Sequence, residues 1–112
     1  MPMYLARFTY TPESWAQLIH QPEDRRPAVT PSIEAEGGKL HGLWYAFGEH
    51  DGYALVELPN NVSMATMALA ISAGGAVSSF HTTVLMTVEE TLSALEKART
   101  VPYVAPGDSE SS

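Results

Sequence analysis

The sequence contains no cysteine. That excludes disulfides, thiolate metal sites and a cysteine nucleophile, and it fits a reducing compartment. Basic residues are scarce too: 6 Lys and Arg stand against 13 Asp and Glu, for a formal net charge of −7. Nucleic-acid binding needs a basic face. The nearest thing to one, Arg25-Arg26, follows Glu23-Asp24 and reads as helix salt bridging, so no nucleic-acid partner is expected. Long apolar runs are missing as well. The window from Met64 to Val77 is short and interrupted by Gly and Ser, so no membrane span is expected. The opening Met-Pro-Met-Tyr-Leu-Ala-Arg lacks the basic start and apolar stretch of a signal peptide, which points to a cytoplasmic protein.

What is present is one domain's worth of chain, 112 residues, a size that buries roughly two thirds of its unfolded surface. Its richest segment runs from Lys39 to Leu58. Two runs of aromatic and aliphatic residues flank Glu49-His50-Asp51-Gly52, a β-hairpin pattern with Asp51-Gly52 supplying a tight turn. In the first run Leu40, Trp44 and Ala46 alternate with Leu43, Tyr45 and Phe47. A strand that is apolar on both sets needs cover on both faces.

Around the hairpin, Met3 to Tyr10 reads as a first strand. Thr11-Pro12-Glu13 reads as a helix start, with Trp15, Leu18 and Ile19 as an inward stripe. A second helical piece begins near Glu23 and carries Val29 and Ile33 inward. Pro31 predicts a kink or break there, and Gly37-Gly38 ends it. Asn60 or Asn61 caps a third helix whose stripe is Met64, Met67, Ala68 and Ile71, stopped by Gly74-Gly75. Ala76 to Met86 is the last strand. Thr87 to Glu90 forms a capping box before a final helix lined by Val88, Leu92 and Leu95. The domain is expected to cover residues 1–99, and residues 100–112 to form a flexible tail.

This order predicts an α+β fold: a ferredoxin-like βαββαβ unit, a four-stranded antiparallel sheet in the order 4-1-3-2, and an extra C-terminal helix. Both crossover helices then cover one sheet face. The other face, apolar and bare, requires a partner, most simply a second copy of the chain meeting it face to face.

Four blocks carry a family resemblance: Tyr10-Thr11-Pro12-Glu13-Ser14-Trp15, Pro22-Glu23-Asp24-Arg25, Gly37-Gly38-Lys39-Leu40 and Gly48-Glu49-His50-Asp51-Gly52-Tyr53. Together they resemble the GYD-domain family over residues from about 3 to 98. The resemblance implies a dimeric α/β barrel of ferredoxin-like fold and carries little function. The family's Gly-x-Tyr-Asp pattern is Gly48-Glu49-His50-Asp51 here, so His50 replaces the tyrosine.

Arg7, Glu57 and His81 are polar residues on three neighbouring strands. On one face they would form a catalytic acid, base and cation set. The plainer reading is a structural Arg7–Glu57 ion pair with His81 at an edge. Tyr10, Trp15, Trp44, Tyr45, Met64 and Met67 are the candidate ligand-binding residues, since pockets are mostly apolar, although a packed core or interface has the same composition. His20, His41, His50 and His81 are too scattered for a metal site. Nothing in the spacing calls for haem ligation by His41 or His81, and no cofactor is expected. Glu49, His50 and Asp51 read as a solvated turn.

Three functions fit: a homodimeric small-molecule-binding protein with an apolar pocket between sheet and helices, a cofactor-independent enzyme of the monooxygenase, cyclase or isomerase type acting on a small organic substrate, or a non-catalytic assembly module.

Overall fold

The computed structural model describes residues 1–108. The chain runs β1 (Met3–Tyr10), α1 (Pro12–His20), α2 (Arg26–Ala35), β2 (Lys39–Tyr45), β3 (Gly52–Glu57), α3 (Asn61–Ala73), β4 (Val77–Leu85) and α4 (Val88–Ala98). The four strands pair antiparallel in the order β2-β3-β1-β4. This is the expected 4-1-3-2 sheet read from its other edge, and α4 is the extra helix.

Local chemistry sets the element ends. Thr11 Oγ1 accepts from the Ser14 amide at 3.1 Å, and Asn60 Oδ1 from the Ser63 amide at 2.9 Å. Thr87 and Glu90 close both arms of the capping box, at 3.0 and 2.9 Å. At the end of α2 the Gly38 amide reaches Ile33 O and the Gly37 amide reaches Glu34 O, both at 2.9 Å. This is a Schellman closure, and it needs the φ of +82° that Gly37 supplies. α2 starts at Arg26 rather than near Glu23, and it runs unbroken through Pro31. A proline removes one helical hydrogen bond. The inward packing of Val29 and Ile33 offsets that loss.

One sheet face carries the core. Tyr4, Ala6 and Phe8 of β1 are buried there with Val56, Leu58, Ile33, Met64 and Met67. The Tyr4 hydroxyl donates to Asn61 Oδ1 at 2.7 Å, so the most buried aromatic ring keeps its polar end satisfied. The alternate residues Met3, Leu5, Arg7 and Thr9 are half-buried on the opposite, helix-free face.

The hairpin departs from its expected alternation. The register slips between Leu40 and Gly42, a β-bulge that leaves Leu40 opposite Val56 and Leu43 opposite Ala54. Both leucines therefore face the helices, whereas Trp44 lies opposite Tyr53 on the other side, exposed. β2 stops at Tyr45, and Phe47 stands in solvent. Gly52 is not a turn residue either. It opens β3 without a positive φ, and a Cβ there would lie 2.2 Å from the Phe8 ring. Its glycine requirement is one of space.

Two helices are thinly attached. α1 has no buried residue; Trp15 and Leu18 are half-buried, while Ile19 of the expected inward stripe points to solvent. α4 buries nothing: Val88, Leu92 and Leu95 are 72%, 57% and 60% exposed. The inner face expected for that helix has no counterpart among the described residues. The radius of gyration is accordingly 18.9 Å, against about 13 Å for a compact chain of this length. From Thr100 to Asp108 the tail carries no helix or strand. The last four residues assigned to the tail lie outside the described range.

Candidate functional site

Between the sheet and helices α2 and α3 lies a cavity of about 180 Å³. Its floor is a cross-strand pair of alanines, Ala6 opposite Ala54, at the centre of the sheet. Two methyl groups replace what larger side chains would fill, and packed interiors leave few such gaps. Ile33 closes one side and Met64, Met67 and Ile71 the other. The lining is apolar except at one end, where Tyr10 and Arg25 enter it.

That end is held by aromatic packing. The Tyr10 ring meets Trp15 edge-on, centroids 5.2 Å apart, and lies 6.3 Å from Tyr45. The Tyr10 and Tyr45 hydroxyls are 3.4 Å apart. Burial pushes the Tyr10 phenol above its ordinary range, and the contact with Tyr45 adds to the effect. Tyr10 is a neutral hydroxyl at physiological pH. Asp51 ties these parts together: one carboxylate oxygen accepts from the Tyr10 amide and from Trp15 Nε1, each at 3.0 Å.

The helix-free face carries a second group of polar side chains. Arg7 on β1 has Tyr53 and His81 as its cross-strand neighbours. His50, buried before the start of β3, packs its ring 5.4 Å from His81 and 6.0 Å from Tyr53. Glu57 shares this face but stands at its far end, opposite Met3. There His41 Nε2 lies 2.8 Å from the Glu57 carboxylate and holds it below the usual carboxylate range. Among the described residues no ion pair joins Arg7 and Glu57.

A family model described as the GYD domain matches residues 4–95. The chain belongs to the GYD domain family. None of the curated proteins compared with it matches significantly. Among solved structures, this GYD domain is similar to the C-terminal domain of the MgtC protein from Mycobacterium tuberculosis. The TM-score is 0.55 and the identity 12%, over 76% of this chain and 88% of that one. It is also similar to FFRP-DM1, with a TM-score of 0.50 and 12% identity over 77% of this chain and 100% of that one. At such identities the likeness shows the ferredoxin-like fold alone.

The residues singled out in the sequence fall into separate places in the GYD domain. Tyr10, Met64 and Met67 line the cavity. Trp15 and Tyr45 stand beside it and, with Leu18, Pro22 and Glu23, line a second, more open depression of about 160 Å³. Trp44 is on the opposite sheet face, displaced there by the bulge. His81 and Arg7 are brought together; Glu57 is not with them. Sequence reading missed Ala6 and Ala54, whose role is to be small, and Arg25 at the cavity end. It placed His50 and Asp51 in a solvated turn, yet His50 is buried and Asp51 bonds inward. The available signal was the shortness of that loop: both residues abut a strand whose other face must be covered.

No group of three or more His, Asp or Glu side chains suited to a metal ion occurs among the described residues. No helix in the described residues is long and apolar enough to cross a membrane.

Proposed function

We propose that this GYD domain is a homodimeric binding protein for a small, mostly apolar organic molecule. The cavity between the sheet and helices α2 and α3 carries the proposal. Ligand pockets are characteristically apolar with a few placed polar groups, and this one offers aliphatic and thioether walls with one phenol and one guanidinium at its end. Size narrows the ligand. An apolar cavity of about 150 Å³ holds benzene, so about 180 Å³ suits a single ring with one small substituent. A hydroxyl or carboxylate on that ring would meet Tyr10 and Arg25.

The dimer rests on surfaces the chain leaves bare. Met3, Leu5 and Leu55 on the helix-free face are half-buried at most, and among the described residues nothing covers the stripe of α4. Burial of apolar surface is the main driving force for association, and a second copy is the economical cover. Native mass spectrometry of freshly purified protein tests both parts. The expected species contains two 12.1 kDa chains and retains a small organic molecule. A single chain without an adduct contradicts the proposal. Leu92→Glu is expected to release monomers while leaving the fold intact.

A further inference from the structure

The cluster on the helix-free face has a composition unlike the rest of the molecule. In a chain of net charge −7 it gathers Arg7 with two imidazoles, His50 and His81, and the phenol of Tyr53. The other arginines are matched: Arg25 with Glu23 at 3.1 Å, Arg26 with Asp24 at 2.7 Å and Arg99 with Glu96 at 3.4 Å. Among the described residues no carboxylate pairs with Arg7. Two acids flank His50 in sequence: Asp51 is turned to Tyr10 and Trp15, and Glu49 is exposed.

Two atoms in this cluster are shut from solvent without a hydrogen-bond partner: Arg7 Nε and His50 Nδ1. His50 itself is only 9% exposed. Buried polar groups are nearly always satisfied, and an unmatched guanidinium in the middle of a sheet face is costly. The donors converge from three neighbouring strands and the loop before β3, so a single small group could meet several of them.

We infer that Arg7, His50 and His81 form a binding site for an oxyanion, a carboxylate or phosphoryl group, on the helix-free face. A divalent cation is the wrong guest. Two histidines give too few ligands, and the fixed charge of Arg7 repels a metal. A planar, forked guanidinium matches a carboxylate or phosphate by two parallel hydrogen bonds, and imidazole N–H groups add donors of the same sense. The site is distinct from the apolar cavity, which opens on the other side of the sheet; it lies on the face that a second copy is proposed to cover, and each chain supplies a full set of its groups.

The test uses full-length protein labelled with ¹⁵N in its histidine rings. Sodium phosphate and sodium acetate are titrated separately against sodium chloride of equal ionic strength. The ring signals of His50 and His81 are expected to shift saturably with phosphate, acetate or both, while exposed His20 stays still. Saturation by phosphate alone assigns a phosphoryl group, by acetate alone a carboxylate, and by both an unselective oxyanion site. His81→Asn, at an exposed position that tolerates polar change, is expected to weaken binding about tenfold, the loss of one charge-assisted hydrogen bond. Arg7→Gln is expected to abolish it; Arg7→Lys, which keeps the charge, retains weakened binding. No saturable movement at His50 and His81, the same movement with chloride, or undiminished affinity in His81→Asn overturns the site.

Discussion

The carboxylate of Asp51 holds the indole of Trp15 at 3.0 Å, across 36 positions of sequence. It is a side-chain link between the end of the sheet and α1, a helix that buries no residue of its own. The same oxygen takes the Tyr10 amide. Asp51→Ala leaves the amide and the indole N–H without their acceptor, at an expected cost of about 2 kcal/mol. The melting temperature should fall by roughly 10 °C. Asp51→Asn keeps an acceptor and should lose less. Thermal unfolding followed by Trp fluorescence measures both.

Gly52 and Phe8 are cross-strand partners in contact. An added methyl at position 52 collides with the buried Phe8 ring, so Gly52→Ala is expected to destabilise the fold by about 1–3 kcal/mol, the usual range for overpacking. Combined with Phe8→Leu, the loss should fall short of the sum of the two single losses, because the second change opens the space the first one needs. Urea denaturation of the four proteins in the cycle decides this.

The sheet and its order were legible because they follow from chain-long patterns: the alternation of β1, two glycine stops and the Thr87–Glu90 box all survive in the structure. What was not legible turned on single-residue geometry. One bulge after Leu40 reverses the facing of everything beyond it, which is why Trp44 and Leu40 part company. Pro31 looked like a break, but packing of Val29 and Ile33 outweighs one missing hydrogen bond. The cavity was expected from its bulky residues, yet its existence depends on Ala6 and Ala54 facing each other, a register that no local pattern encodes. His50 and Asp51 looked solvated because polar residues in loops usually are. Their burial is set by strands β1 and β4 and helix α1, far away in sequence.

Acid titration has one sharply placed marker. Hydrogen bonds from the Arg26 side chain and amide hold the Asp24 carboxyl at about 2, below its ordinary value. A carboxyl lowered on folding contributes stability above its unfolded-state pKa, near 3.8, and that contribution is lost as pH falls through about 2. A ¹³C carboxyl titration of the folded protein should place the Asp24 midpoint near that value. In Arg26→Gln the midpoint should return toward the ordinary aspartate range. An unmoved midpoint would mean that the ion pair does not order the entry to α2.

The cavity itself is tested most directly at its two methionines. Protein carrying ¹³C-methyl methionine is titrated with phenol, a single ring bearing one hydroxyl. Met64 and Met67, which are 4% and 7% exposed, should show saturable methyl shifts while exposed Met86 does not. Ile71→Trp, which fills the cavity from its half-buried side, should abolish those shifts with the fold retained. If the Met64 and Met67 methyls stay in place at saturating phenol, or respond equally in Ile71→Trp, the space beneath α2 and α3 is not a binding site.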